Sequence, residues 1–150
     1  MPHKNRGRRI PNSIFGMAAV FWVACELSRR NWIALPTLRN LKGVDIIAQH
    51  PGNAKRVEIQ VKALQARKGR NFWLLGAMNR KDIPSYDPLF FVFVRPCSRD
   101  DTAPFEALIV PSAKVKREAQ QQKNKKFQFC WYPPEGEELE RCQNRWDALA

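Results

Sequence analysis

The chain of 150 residues is long enough for one domain with one buried core. It is 44% hydrophobic and 27% charged, which excludes wholesale disorder and, with the length, collagen-like, coiled-coil and porin-like architectures. Lys and Arg number 26 against 14 Asp and Glu, a net charge of +12, so a polyanion is the expected partner and nucleic acid the first candidate; the plainer alternative is a basic surface with no partner.

Residues 1–12 carry four positive charges and no acid, and read as a basic arm. Ser13 is a plausible N-cap for a helix running to about Arg30, with Phe15, Ala19, Trp22 and Glu26 on one stripe. The basic residues ahead of the apolar run Ile14–Cys25 mimic a secretory signal. That run, however, lacks a small-residue cleavage site, leads straight into Glu26-Leu27-Ser28-Arg29-Arg30, and is too short to span a bilayer. It is expected to be a buried core helix of a cytoplasmic protein with no membrane association. Asn31–Leu35 predicts a short strand stopped by Pro36, and Gly43–Gln49 a second strand. A turn at His50–Asn53 leads to a third strand, Arg56–Leu64, whose alternation sends Val57, Ile59, Val61 and Ala63 one way and Glu58, Gln60 and Lys62 the other.

Phe72–Leu75 is a possible fourth strand. Leu89–Val94 is apolar on both faces, as a central strand should be, and Phe105–Val110 makes another. Pro111 suits the first turn of a helix from Ser112 to about Gln122, and the acidic stretch Glu135–Glu140 predicts a turn and short helix. The sum is a single α/β domain, a mixed β-sheet flanked by helices, divided into arm (1–12), core (13–123) and C-terminal extension (124–150). Of the four cysteines, Cys25 and Cys130 sit in apolar surroundings and none forms a CxxC pair. With only His3 and His50 available to complete a set, a structural zinc site is not expected. Trp22, Phe90, Phe91 and Phe93 are assigned to the core, as is Trp73; His3 and His50 are expected to be exposed.

Three features stand out in order. Glu26 is the only charged residue between Arg9 and Arg29, and Asp45 is an acid between Val44 and Ile46. Gln60-Val61-Lys62 closes a polar strand face. A carboxylate buried without compensation costs several kcal/mol, so Asp45 needs a metal ion, a lysine or an exposed strand end. Lys62 on the paired strand suits that need, while Glu26 and Gln60 add oxygens; hard oxygen ligands of this kind suit Mg²⁺ or Mn²⁺.

On these residues the chain resembles the PD-(D/E)XK nuclease superfamily, from about Ser13 to Ser112. The Cys25–Trp32 helix end resembles the superfamily's opening helix with its glutamate. Gly43–Ala48 is similar to the strand with the metal-binding aspartate, and Glu58–Lys62 to the (D/E)XK strand. Phe90–Val94 and Leu108–Ser112 resemble the closing strands of small members. Gln60 stands where most members have Asp or Glu, a QxK form similar to that of small homing endonucleases of group I introns.

The resemblance implies a restriction-endonuclease-like core and Mg²⁺- or Mn²⁺-dependent hydrolysis of DNA phosphodiesters. Asp45 and Gln60 would ligate the metal, Glu26 directly or through water, and Lys62 would hold the attacking water; Glu58 could partly substitute through a water. Two strand cuts need two sites, hence a homodimer or higher homo-oligomer, and Phe127–Tyr132 is a candidate interface. The rival readings are a structure-selective enzyme of the Holliday-junction-resolvase type, a catalytically weak or inactive DNA-binding module of the same fold, and a nuclease-like subunit that acts only with a partner protein.

The plainer readings are that Glu58, Gln60 and Lys62 form a solvated strand face and that Glu26 pairs with Arg29 or Arg30. Residues 51–70 hold six basic residues against one acid; Lys55, Arg56, Arg67, Lys68 and Arg70 are therefore candidate DNA-backbone contacts. Lys114, Lys116 and Arg117 read as a solvated helix face, with contacts to the DNA backbone as the alternative.

Overall fold

A computed structural model describes residues 10–37, 43–66, 70–122 and 128–150. The chain opens with α1 (Asn12–Ser28), which begins directly after Pro11 with no side-chain cap, so Ser13 lies inside the helix rather than capping it. Its buried stripe is Phe15, Ala19, Val23 and Leu27, an i, i+4 row. The helix is apolar on its outer side too, where Ile14 and Phe21 are 60% and 59% exposed. The expected fully buried helix is therefore buried on one side only. Trp22 is half-buried, edge-on to Phe105 and Trp146, and Cys25 is exposed rather than embedded. Asn31 takes a left-handed conformation (φ 66°), and the amides of Asn31 and Trp32 bond back to Ser28 and Leu27, closing the helix in a Schellman-type turn.

Five strands then form one sheet in the order β1-β2-β3-β5-β6. They are β1 (Ile33–Pro36), β2 (Ile46–Gln49), β3 (Arg56–Ala63), β5 (Leu89–Pro96) and β6 (Phe105–Pro111). All neighbours are antiparallel except β3 and β5, which run parallel and make the sheet mixed. Pro36 ends β1 inside the strand rather than before it; β1 is an edge, where a missing N–H breaks no ladder. The second predicted strand is shorter than expected, because Gly43 has φ 83° and Asp45 lies at a bend just before β2.

A second, three-stranded sheet has the order β4-β8-β7, built from β4 (Trp73–Leu74), β7 (Gln120–Gln121) and β8 (Phe129–Trp131). The helix after β6, α2 (Ser112–Glu118), ends earlier than predicted because Ala119 turns extended and leads into β7. A short α3 (Glu137–Cys142) follows, with a closing 3-10 turn at Trp146–Leu149.

The large sheet separates two cores. On one face α1 covers Ile46, Ala48, Val57, Ile59, Val92 and Ile109, joined by Trp146 and Leu149 from the end of the chain. On the other, Leu89, Phe91 and Phe93 meet Trp73, Phe129, Trp131 and Val115. Phe93 stacks on Trp131 with ring centroids 4.3 Å apart. Phe129, Cys130 and Trp131 are buried within the chain, which takes them out of the expected interface, whereas Tyr132 is exposed. Phe127 lies outside the described residues. Among the described residues, no helix is long and apolar enough to cross a membrane.

Candidate active site

The site begins with strand register. Ile46 of β2 faces Ile59 of β3, so the residue before β2, Asp45, arrives beside Gln60. Three backbone-level contacts fix it there. Its amide donates to the Ile59 carbonyl (2.8 Å), its carbonyl accepts from the Thr37 amide (2.8 Å), and its Oδ2 accepts the Val61 N–H at 2.7 Å. The carboxylate thus borrows an amide of the strand that carries Gln60 and Lys62.

Strand alternation places Glu58, Gln60 and Lys62 on the face shared with their β5 partners Leu89, Phe91 and Phe93. All three polar residues are half-buried. Burial pushes the Asp45 carboxyl above its ordinary value, opposed by the Val61 N–H and by the Lys62 charge. Burial likewise pushes the Lys62 ammonium below its ordinary value, opposed by Asp45. Each charge is short of solvent and partly supported by the other. Among the described residues, Lys62 Nζ has no hydrogen-bond or ion-pair partner. Gly76 passes close by at φ 72°; a Cβ there would lie 3.9 Å from Lys62 Nζ.

Gln60 carries the least expected feature. Its Oε1 is buried and has no hydrogen-bond partner. Buried acceptors are nearly always paired, and an orphan costs about 1–3 kcal/mol. Among the described residues, no group of three or more His, Cys, Asp or Glu is poised for a metal ion. The oxygens on the two residues that the β2–β3 register sets opposite one another are one carboxylate (Asp45) and one amide (Gln60). That set fits Mg²⁺, which typically takes one or two protein carboxylates and completes its shell with water and substrate phosphate.

The remaining predicted residues are spread more widely. Glu26 pairs with Arg29 (3.0 Å) and Arg30 (2.5 Å), and the Arg30 hydrogen bond, ahead of the Coulomb attraction of both arginines, holds its carboxyl below the ordinary value. It lines a hollow with Trp22, Phe105 and Trp146, whereas the part of α1 beside Lys62 is its first turns, at Asn12, Phe15 and Gly16. Ten residues of helix, about 15 Å, separate Gly16 from Glu26. Glu58 is engaged by Arg56 (3.4 Å) and by the Tyr86 hydroxyl, which donates at 2.5 Å. Burial first, then Glu58, pushes that phenol up to about 12.

Lys55 and Arg56 are exposed at the opposite end of β3 from Lys62, Lys55 donating to the Ala150 carbonyl (2.7 Å). Arg67 and Lys68 lie outside the described residues, while Arg70 shares a cleft of about 270 Å³ with Lys62. His50 is half-buried, edge-on to Trp32, and accepts the Gly52 N–H at 3.1 Å; His3 lies outside the described residues.

Sequence reasoning missed Tyr86 and Ser112. The Ser112 hydroxyl both accepts the Tyr86 N–H (3.1 Å) and donates to its carbonyl (3.0 Å), setting the loop that delivers the phenol to Glu58. No spacing in the sequence links these positions. No protein-family model matches the chain, and no curated protein matches it in sequence.

Proposed function

We propose that the chain is a metal-dependent endonuclease with a restriction-endonuclease-like core, hydrolysing DNA phosphodiesters at the Asp45–Gln60–Lys62 cluster. The observation that carries this reading is the orphaned Gln60 Oε1, buried on the strand that carries Lys62 and set by register opposite Asp45. Asp45 and Gln60 would hold Mg²⁺ or Mn²⁺, which supplies Lewis-acid polarisation and a more acidic bound water. Asp45 is kept in place by the Val61 amide. Lys62, with three donors and no partner, orients the attacking water and meets the charge that builds on the phosphate oxygens. The half-buried setting strengthens these interactions relative to open water. The chain's surplus of positive charge supports a polyanionic substrate. Double-strand cleavage would require two such chains acting as a homodimer or higher homo-oligomer.

The single carboxylate favours one second reading, a DNA-binding module of the same fold with weak or lost catalysis. Incubating the protein with plasmid and Mg²⁺ or Mn²⁺ separates the two. Nicking or linearisation that disappears in Asp45→Asn and Lys62→Ala supports the enzyme. Salt-sensitive binding with no cleavage of any DNA form by the wild type supports the module.

A further inference from the structure

The cleft beside Lys62 has a second cation. Arg70 lines it together with Lys62, and the buried Gln65 closes it. The Arg70 guanidinium lies over the Phe72 ring, 5.1 Å from its centroid, which holds its plane in one orientation. Its Nε is buried and has no hydrogen-bond partner. A planar donor fork, held by an aromatic ring with one donor unsatisfied, is matched to a tetrahedral oxyanion. Among the described residues that line the cleft, none is acidic. Its volume is about 270 Å³, room for a sugar–phosphate unit but not for a duplex.

We propose that this cleft is a phosphate-positioning site, in which Arg70 grips one backbone phosphate of the bound DNA strand and sets which phosphodiester is presented to Lys62. The proposal rests on the reading of the chain as a DNA-cleaving protein and deepens it: Arg70 is a positioning residue, acting through the strand it holds. It explains why an arginine is stacked and left one donor short within the same cleft as an unpartnered lysine.

The test uses the full chain and an end-labelled DNA duplex in EDTA, so that binding is read without cleavage across a salt series. Arg70→Ala should weaken binding on the order of ten-fold and flatten the slope of log affinity against log salt by about one, the signature of one lost phosphate contact. Arg70→Lys should restore the slope but only part of the affinity, because a point charge replaces the fork. Arg99→Ala, which removes an exposed charge outside the cleft, should leave the slope unchanged. Thermal melting of each variant identifies any that has lost its fold. A slope for Arg70→Ala equal to that of the wild type, or an equal flattening by Arg99→Ala, would overturn the proposal. Cleavage is assayed separately in Mg²⁺. Wild-type protein that never cuts defeats the enzyme reading, yet a slope change confined to Arg70 still supports the phosphate site.

Discussion

Two polar sites on this molecule look alike in sequence and differ in structure. At the C-terminal end of α1, Glu26 meets two arginines three and four residues on, in the turn that closes the helix. Asp45, just before β2, meets Gln60 and Lys62 of β3, and among the described residues the Gln60 amide oxygen and the Lys62 ammonium have no hydrogen-bond partner. The first site is locally complete. A buried or half-buried group left open needs an occupant to offset its desolvation, and that is where a ligand gains most.

The contrast breaks first if catalysis does not follow the open site. Lys62→Ala and Asp45→Asn should each reduce cleavage on the order of 10²–10³-fold, about 2.7–4 kcal/mol of transition-state stabilisation. Asn retains an acceptor for the Val61 amide, so Asp45→Asn should melt close to the wild type. Equal cleavage by either variant would move the chemistry elsewhere.

Gln60→Leu sharpens the comparison in the opposite sense. Removing an orphaned acceptor should raise stability by about 1 kcal/mol, read as a higher denaturant midpoint at unchanged slope, while cleavage falls. A loss of stability would mean that Gln60 already has a partner. Tyr86→Phe removes a hydrogen bond to a carboxylate at a partly exposed phenol and should cost about 0.5–1 kcal/mol in the same measurement.

The smallest effect belongs to Glu26→Gln. Exposed i, i+4 pairs contribute about 0.3–0.5 kcal/mol, and cleavage should be unchanged. The sign with pH follows from the depressed carboxyl. Its stabilisation is present above the ordinary value of 4.5 and is lost as pH falls through the lower, folded-state value. The gap between Glu26→Gln and wild type should therefore be open at neutral pH and close in acid.

Much of this fold is legible in the sequence because β3 and β5 obey simple rules. The β3 alternation assigns Val57 and Ile59 to one face and Glu58, Gln60 and Lys62 to the other, and the all-apolar Leu89–Val94 run marks a strand covered on both sides. α1 is harder, since an apolar outer side blurs the true stripe; Trp22 read as part of it, while Val23 and Leu27 carry the burial. Glu26 drew attention as an acid in an apolar run, though Arg29 and Arg30 already stood at the spacings that satisfy it. The charge count over residues 51–70 places Arg70 near the site, and the structure puts it in one cleft with Lys62. Gly76, where a Cβ would lie 3.9 Å from Lys62 Nζ, is not marked by any local pattern.

The central claim is that Asp45 and Gln60 together form a divalent-metal site. A crystal of the protein soaked in Mn²⁺ tests it most directly through the anomalous signal. A peak is expected beside Asp45 and Gln60, absent in Asp45→Asn. An ordered Gln60 with no peak beside it, at a soak concentration that labels other acidic sites, would contradict it.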